Sequence, residues 1–262
     1  MKFIEKLKNS INTKKTYLCI GIDPDPEKLP PDFSKNVTGI MDYVTEVINL
    51  TKDITAAYKF NMAFFEVWGS RGWKIIEKIG NLIPEDIFLI ADGKRGDIGN
   101  SARFYAKALL ENLFFDAVTV SPYLGTDSII PFIESEKKGA FVLCVTTNKS
   151  ACKIQNFKEN GKPLYVHVAE IVNNLNTKCN LGLVVGATKP KKLLELRDKF
   201  PSLPFLIPGI GAQGGDIEAS RSVCKPDIGL INISRAILYP DSNKINEVKT
   251  KAIEFRKLLN KE

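Results

Sequence analysis

The sequence predicts an α/β protein, a closed (β/α)8 TIM barrel that forms a single domain over residues 1–262. Eight short apolar runs of strand length recur along the chain, longer segments with helical periodicity separate them, and nearly every run ends in a polar residue. Near-continuous apolar strands that alternate with helices are typical of a parallel sheet covered on both faces. Eight such units in about 250 residues fit a closed barrel, and a doubly wound open sheet is the alternative.

The eight predicted strands are the apolar runs in chain order. They are Tyr17–Ile22, Ala56–Phe60, Ile87–Ala91, Ala117–Val120, Ala140–Val145, Leu181–Gly186, Phe205–Ile207 and Ile228–Ile231. In a barrel of this kind the chemistry collects at the C-terminal ends of the strands. The residues that follow each run are therefore the candidates for a functional site.

Composition and charge argue against several classes of function. Lys and Arg exceed Asp and Glu by 37 − 30 = 7, but the lysines are scattered through helical stretches instead of clustering among aromatic residues. A basic nucleic-acid binder is therefore the weakest hypothesis, and the charge predicts at most a mild attraction for a small anion. No segment of the sequence approaches the roughly 18 apolar residues of a membrane span.

Cysteine and histidine usage predicts a metal-free protein in a reducing compartment. The five cysteines are odd in number and lack a C-x-x-C motif, and two of them lie in apolar strand-like runs. His167 is the single histidine and lies in a helical pattern, so a zinc site or a Ser-His-Asp triad has almost no residues to use. We expect a soluble, cytoplasmic protein without an N-terminal targeting segment.

Three opposite charges directly follow the third predicted strand. Asp92 and Lys94 are two residues apart, so they share one face of an extended segment, and Asp97 follows within the next turn. Glycines between them let the backbone approach a ligand, and the polar residue at 100 or 101 can cap the next helix. The segment predicts a carboxylate and an ammonium held together in a charged loop, with an ordinary surface ion pair as the alternative.

Other predicted strands also end in polar residues. The first ends in Asp23, the second in Lys59 and Asn61, and the fifth in Thr146 and Thr147. Taken singly, such residues are often helix caps or turn residues. Because the C-terminal ends of barrel strands meet on one face, together they predict a polar pocket ringed by that face.

The seventh strand runs into a glycine loop at residues 208–215 that satisfies G-x-G-x-x-G. The motif indicates a dinucleotide site when it opens the first unit of a Rossmann sheet, whereas here it follows the seventh strand. Pro208, Gly209 and Gln213, with Asn232 and Arg235 after the eighth strand, instead match the phosphate cradle of a barrel. Arg235 can bond two phosphate oxygens through its planar guanidinium.

The run at residues 92–98 resembles the D-x-K-x-x-D-I signature of the orotidine 5'-phosphate decarboxylase family. Residues 21–24 and 58–61 are similar to the first-strand and second-strand motifs of that family, and residues 208–215 and 232–235 to its phosphate-binding ends. The resemblance extends over essentially the whole chain, and the residues that make up these motifs are most similar to the branch of the family with longer loops.

The resemblance implies decarboxylation of orotidine 5'-phosphate to uridine 5'-phosphate and CO2, the final step of UMP synthesis, without a metal or organic cofactor. Loss of CO2 leaves a carbanion at C6 that no conjugated group stabilises, so a fixed cation and a proton donor are needed beside it. Lys94 can be both. Lys59 and Asp92 on one side of Lys94 and Asp97 on the other are implied to form one network of alternating charges.

The same resemblance implies further roles. Asp97 and Ile98 are supplied across a subunit interface, which implies a homodimer with two shared sites, and Ser101 is expected to reach the neighbour's ribose in the same way. The residues implied to bind substrate are Asp23, Lys59 and Asn61 for the ribose, Thr146 and Thr147 for the pyrimidine, and the loop around Gln213 with Arg235 for the phosphate. Association with a separate orotate phosphoribosyltransferase is left open.

Two rival functions remain. Metal-dependent members of the same superfamily, such as a keto-sugar phosphate decarboxylase or a hexulose phosphate synthase, also resemble the D-x-K-x-x-D pattern. In them the second strand ends in a glutamate that helps to hold Mg²⁺, whereas this chain has Lys59, a cation that would repel the metal. A non-catalytic protein that binds a nucleotide phosphate on the same barrel is the second rival.

Overall fold

A computed structural model describes residues 1–211 and 213–260. Over these residues eight parallel strands form a closed barrel in which each strand pairs with its neighbour in sequence, and the last strand pairs with the first. The strands are β1 Leu18–Ile22, β2 Ala57–Asn61, β3 Phe88–Arg95, β4 Ala117–Val120, β5 Gly139–Val145, β6 Leu181–Val185, β7 Phe205–Pro208 and β8 Gly229–Ile233. The predicted (β/α)8 barrel is confirmed, and the open sheet is wrong.

Helices connect the strands and cover the outside of the barrel. They are α1 Phe3–Lys14, α2 Val37–Thr51, α3 Ala63–Glu66, α4 Ser70–Gly80, α5 Gly99–Ala106, α6 Cys152–Gln155, α7 Leu164–Leu175, α8 Pro190–Lys199, α9 Ile217–Ser222, α10 Arg235–Leu238 and α11 Ile245–Leu259. A π-helical turn, Lys107–Asn112, continues α5, and a small antiparallel hairpin pairs Lys158–Glu159 with Lys162–Pro163. Across the described segments, no helix has both the length and the apolar character that a membrane crossing requires.

Helix α1 closes the N-terminal end of the barrel. Phe3 at its start is fully buried and packs edge-on against Phe88, the first residue of β3, with ring centroids 5.3 Å apart. Its ring also lies 6.1 Å from that of Phe141 in β5. Because this end is filled by aromatic side chains, a ligand cavity has room at the opposite, C-terminal end of the strands.

Strand β3 is longer than the sequence predicted. The strand extends to Arg95, and its pairing with β4 shifts register between Ala91 and Arg95, so Asp92 and Lys94, which were expected in a loop, belong to the strand. Helix α5 begins at Gly99, and its N-cap residue is the apolar Ile98, so the cap predicted at residue 100 or 101 is wrong. Asn100 lies inside the first turn and accepts a hydrogen bond from Arg103 instead, at 2.8 Å.

Candidate active site

A cavity of about 710 Å³ opens at the C-terminal end of the barrel. Side chains and loops from β2 to β7 line it, which agrees with the face on which the predicted polar residues converge. The predicted site residues that line this cavity are Lys59, Asp92, Lys94, Thr146, Thr147 and Pro208. Six candidates scattered over 150 positions of the sequence are therefore brought to one concave surface.

Lys59, Asp92 and Lys94 form a row of alternating charges on the cavity wall. Lys59 Nζ lies 2.6 Å from Asp92 Oδ2, and Lys94 Nζ lies 2.7 Å from Asp92 Oδ1. Parallel pairing of β2 with β3 places Asn61 opposite Asp92, which brings the side chain of Lys59 within reach of the carboxylate. Lys59 and Asp92 are largely buried, whereas the Lys94 side chain is 52% exposed and faces the cavity.

Both buried members of this row are held in their charged forms. Burial is the largest influence on Asp92 and would raise its pKa, but the charges of Lys59 and Lys94 and their hydrogen bonds together hold the pKa well below its usual value. Burial likewise would lower the pKa of Lys59, and the attraction of Asp92 and Asp23 outweighs it, so that this pKa is raised. The row is therefore a fixed array of two cations around one anion.

The backbone at Lys94 has an unusual conformation. Its φ is +46°, in the left-handed region that residues other than glycine rarely adopt. Sequence reasoning missed Thr119 of β4, which also lines the cavity and whose hydroxyl bonds to both Asp92 and Lys94. A single polar residue within the apolar strand Ala117–Val120 was the available signal.

Asp23 follows β1, and its two carboxylate oxygens have different surroundings. Its Oδ2 accepts a hydrogen bond from the Ser234 hydroxyl at 2.6 Å, and its main-chain oxygen accepts one from the Tyr239 hydroxyl at 2.7 Å. Oδ1 is buried and has no hydrogen-bond partner among the described residues, a costly arrangement that a ligand hydroxyl would relieve. Ser234, which fixes this carboxylate, and Tyr239, which holds the Asp23 main chain, were not identified from the sequence.

The glycine loop after β7 approaches the cavity closely. Gly209 has a φ of +108°, and a Cβ there would lie 3.0 Å from Thr147 Cγ2 and 3.1 Å from Gln213 Oε1. Gly211 and Gly214 also have positive φ, which suits glycine. The structure thus brings together Gln213, Gly209 and Thr147, while Ala212 lies outside the described residues.

The residues predicted after β8 occupy different depths. Asn232 pairs with Pro208 of β7, is buried, and accepts a hydrogen bond from the Cys19 thiol at 3.7 Å inside the barrel. Arg235 is exposed and begins helix α10 on the rim next to the glycine loop. Of the two, Arg235 has the freedom to reach an anion at the mouth of the cavity.

The backbone N–H and the hydroxyl of Thr146 are hydrogen-bonded to other side chains of the same chain. Its backbone N–H donates to Gln155 Oε1 at 3.0 Å, and its hydroxyl accepts from Gln155 Nε2 at 2.9 Å. The same hydroxyl donates to Asn148 Oδ1 at 2.6 Å. Gln155, which sequence reasoning did not identify, therefore anchors the loop after β5, and Thr147 lies beside the glycine loop.

Asp97 and Ile98 lie beyond β3 and away from the row of charges. Asp97 Oδ1 accepts a hydrogen bond from the Ile98 N–H at 2.8 Å, and within the described part of the chain it pairs with neither Lys94 nor Lys59. Ile98 is 51% exposed, and Ser101 is also exposed. One chain therefore supplies three of the four charges that were predicted to form the network.

Comparison with known proteins identifies the family. A family model described as orotidine 5'-phosphate decarboxylase / HUMPS matches residues 16–250. An orotidine 5'-phosphate decarboxylase of Dehalococcoides mccartyi (strain CBDB1) is 45% identical over 249 residues, covering 92% of this chain and 90% of that protein. One of Roseiflexus sp. (strain RS-1) is 39% identical, covering 99% and 98%.

A solved structure supports the same assignment. The OMP decarboxylase of Leishmania donovani superposes with a TM-score of 0.87 and 33% identity, and the match covers 98% of this chain and 96% of that one. The superposed part of this chain includes the closed parallel barrel described above. From the extent of these matches, and with Asp92 and Lys94 of the D-x-K-x-x-D-I motif on the cavity wall, the chain belongs to the orotidine 5'-phosphate decarboxylase family.

Proposed function

We propose that this protein converts orotidine 5'-phosphate to uridine 5'-phosphate and CO2, the final step of de novo UMP synthesis. The observation that carries the proposal is the half-exposed Lys94 ammonium, held 2.7 Å from a carboxylate that the buried Lys59 also holds. The names of the relatives that cover nearly all of the chain support the same reaction. We further propose that residues 1–262 act as one barrel domain.

The row of charges suits the chemistry of this reaction. Departure of CO2 leaves an electron pair at C6 in the plane of the pyrimidine ring, so the developing negative charge needs a cation placed in advance. Lys94 supplies that cation, and a proton from its ammonium then completes the C–H bond of the product. Because Asp92 and Lys59 already hold the array in place, no water has to reorient as charge develops.

The surrounding residues are suited to hold the rest of the nucleotide. Ser234 orients the Asp23 carboxylate through Oδ2, and Oδ1 has no partner in the part of the chain that the structure describes, so we assign Oδ1 to a ribose hydroxyl together with Asn61. Thr147 is the better candidate of the threonine pair for the pyrimidine, because Thr146 is bonded to Gln155. The backbone of the glycine loop, Gln213 and Arg235 are assigned to the phosphate.

Lys59 favours this reaction over that of the metal-dependent relatives. Its ammonium takes up the space beside Asp92 Oδ2 and is charged at neutral pH. A divalent cation placed against the same carboxylate would meet Lys59 and Lys94 at close range. An enediolate chemistry that depends on Mg²⁺ at this position is therefore disfavoured by the residues present.

The direct test is loss of ultraviolet absorbance as orotidine 5'-phosphate is consumed by the purified protein. We expect turnover, and we expect the same rate after addition of EDTA. Turnover that stops with EDTA would support a metal-dependent relative, and tight binding without any absorbance change would support the non-catalytic nucleotide-binding protein. Either result would overturn the proposed function.

Removal of the Arg235 guanidinium is expected to weaken substrate binding severely. An arginine that bonds a phosphate through two charge-assisted hydrogen bonds contributes on the order of 3 kcal/mol, so Arg235→Ala should raise KM by about 10²-fold. Steady-state kinetics with orotidine 5'-phosphate measures the change, and addition of guanidinium ion should restore part of the activity. An unchanged KM would remove Arg235 from the phosphate site.

We propose that the active protein is a homodimer in which Asp97 and Ile98 reach the partner's cavity. Large apolar side chains are exposed at Ile98 and in the segments that follow it, and they include Ile98, Phe104, Tyr123 and Leu124. Helix α5, which follows Ile98, packs against the turn Ile130–Phe132 and gives this part of the chain a rigid base. A second copy of the chain would cover these side chains and complete the network of charges.

The cellular setting follows from the same proposal. All five cysteines are free and three are buried, which supports a reducing, cytoplasmic environment. Association with a separate orotate phosphoribosyltransferase stays a prediction, and copurification from the native cell tests it.

A further inference from the structure

Strands β3 and β4 are mismatched at the row of charges. Ala91 pairs with Val118, and the next pair joins Arg95 to Val120, so the three residues 92–94 lie opposite Thr119 alone. Such a bulge bends the strand and redirects its side chains. Here it turns Asp92 and Lys94 toward the cavity and leaves the Lys94 backbone at a φ of +46°.

One hydroxyl group replaces the main-chain pairing that the bulge removes. Thr119 Oγ1 accepts the backbone N–H of Lys94 at 3.0 Å and lies 2.9 Å from Asp92 Oδ1. A deprotonated carboxylate can only accept, so the hydroxyl proton must point to Asp92. Asp92 Oδ1 also receives the Lys94 ammonium at 2.7 Å, and the three residues close a ring of hydrogen bonds.

We propose that Thr119 is a positioning residue for the decarboxylation, because its hydroxyl fixes both the carboxylate of Asp92 and the strained backbone that carries the Lys94 ammonium. This inference rests on the proposed function and deepens it. A left-handed conformation at a lysine persists when its surroundings enforce it, and the hydrogen bond from the Lys94 N–H to Thr119 does so here. Thr119 is 1% exposed, so water cannot take over the hydroxyl's two contacts without displacing neighbouring side chains.

The charged groups around this ring stay the same when the hydroxyl is removed. Asp92 faces Lys59 from β2 and Lys94 from β3, and Lys59 in turn faces Asp23 after β1. Replacement of Thr119 by valine keeps the shape and changes no charge. The expected loss of rate therefore comes from poorer alignment of Asp92 and Lys94. Displacement of a reacting group by about 1 Å is enough to lower the rate by about 10²-fold.

The test compares Thr119→Val, Thr119→Ser and Thr119→Cys in the full-length protein. We expect Thr119→Val to lower kcat by about 10²-fold with KM and the affinity for uridine 5'-phosphate changed by less than about threefold. Serine keeps the hydroxyl and should restore kcat to within about threefold of the parent, whereas cysteine, of similar size but a weak hydrogen-bonding group, should behave like valine.

Thr55→Val is the matched control. Thr55 is also fully buried, and its hydroxyl lies 3.0 Å from the main-chain oxygens of Leu18 and Ala57 near the closed end of the barrel. We expect a comparable loss of thermal stability from Thr119→Val and Thr55→Val, with the parental kcat kept by Thr55→Val.

The outcomes separate this inference from the proposed function. A parent protein that does not decarboxylate orotidine 5'-phosphate refutes the function itself. An active parent together with a Thr119→Val enzyme of near-parental kcat refutes the role of Thr119. If Thr119→Val does not fold, the serine and cysteine variants decide: equal kcat values for the two would show that side-chain volume matters and the hydroxyl does not.

Discussion

The Lys94→Ala protein is expected to bind uridine 5'-phosphate and to release almost no CO2. Lys94 is assigned two roles, a fixed cation beside C6 and the proton donor to that carbon. Loss of an electrostatic stabiliser costs about 10²–10³-fold and loss of a general acid about 10²–10⁴-fold, so kcat should fall by at least about 10⁴-fold. Single-turnover kinetics measures the chemical step, and calorimetry with uridine 5'-phosphate measures binding.

The fold should tolerate this change. Without Lys94 the carboxylate of Asp92 still has the Lys59 ammonium at 2.6 Å, so no buried charge is left unpaired. Lys6→Ala is the matched control, because Lys6 Nζ lies 2.7 Å from the buried Asp116 at the opposite end of the barrel. Lys6→Ala should lower stability and leave kcat unchanged. Near-normal turnover by Lys94→Ala would refute the proposed mechanism.

The barrel could be predicted because its strands are almost wholly buried. A strand that is covered on both faces has little freedom to include polar residues, and β4 has the predicted bounds, Ala117–Val120. The length of strand β3 was underestimated because the end of this strand is not apolar. Its last four residues are polar or glycine, and they remain part of the strand because Asp92 pairs with β2 and Arg95 pairs with β4, which is a tertiary effect that local periodicity does not contain.

The site residues that could be predicted from the sequence are mainly the charged ones. Asp92, Lys94 and Lys59 are charged residues at the ends of apolar runs, and such residues need partners when a strand is buried. Thr119, Ser234 and Gln155 were missed because a lone hydroxyl or amide gives no indication of its partner. The importance of Thr119 arises from the β3 bulge, and a bulge is defined by the pairing of two strands.

Mixing two inactive variants is expected to restore activity if Asp97 serves the partner's cavity. A hybrid dimer of Lys94→Ala and Asp97→Asn chains has one cavity that carries both defects and one that carries neither. With random association half of the dimers are hybrids, and one of their two cavities is intact, so the mixture should reach about a quarter of the parental activity. Each variant alone should be at least about 10²-fold slower than the parent. The measurement is kcat after the two variants are unfolded together and refolded.

The matched control for this experiment is a mixture of Lys94→Ala with Asp92→Asn. Asp92 and Lys94 of one chain lie 2.7 Å apart, so each cavity of that hybrid contains one defect and no activity should return. If activity returns in the first mixture and not in the control mixture, Asp97 serves the neighbouring cavity. Unfolding and refolding are the same for both mixtures, so they cannot cause such a difference. Failure of both mixtures would refute a contribution of Asp97 to the neighbouring cavity, and near-parental activity of Asp97→Asn by itself would mean that the three charges within one chain are the complete network. The exposure of the apolar side chain of Ile98 would then need another explanation.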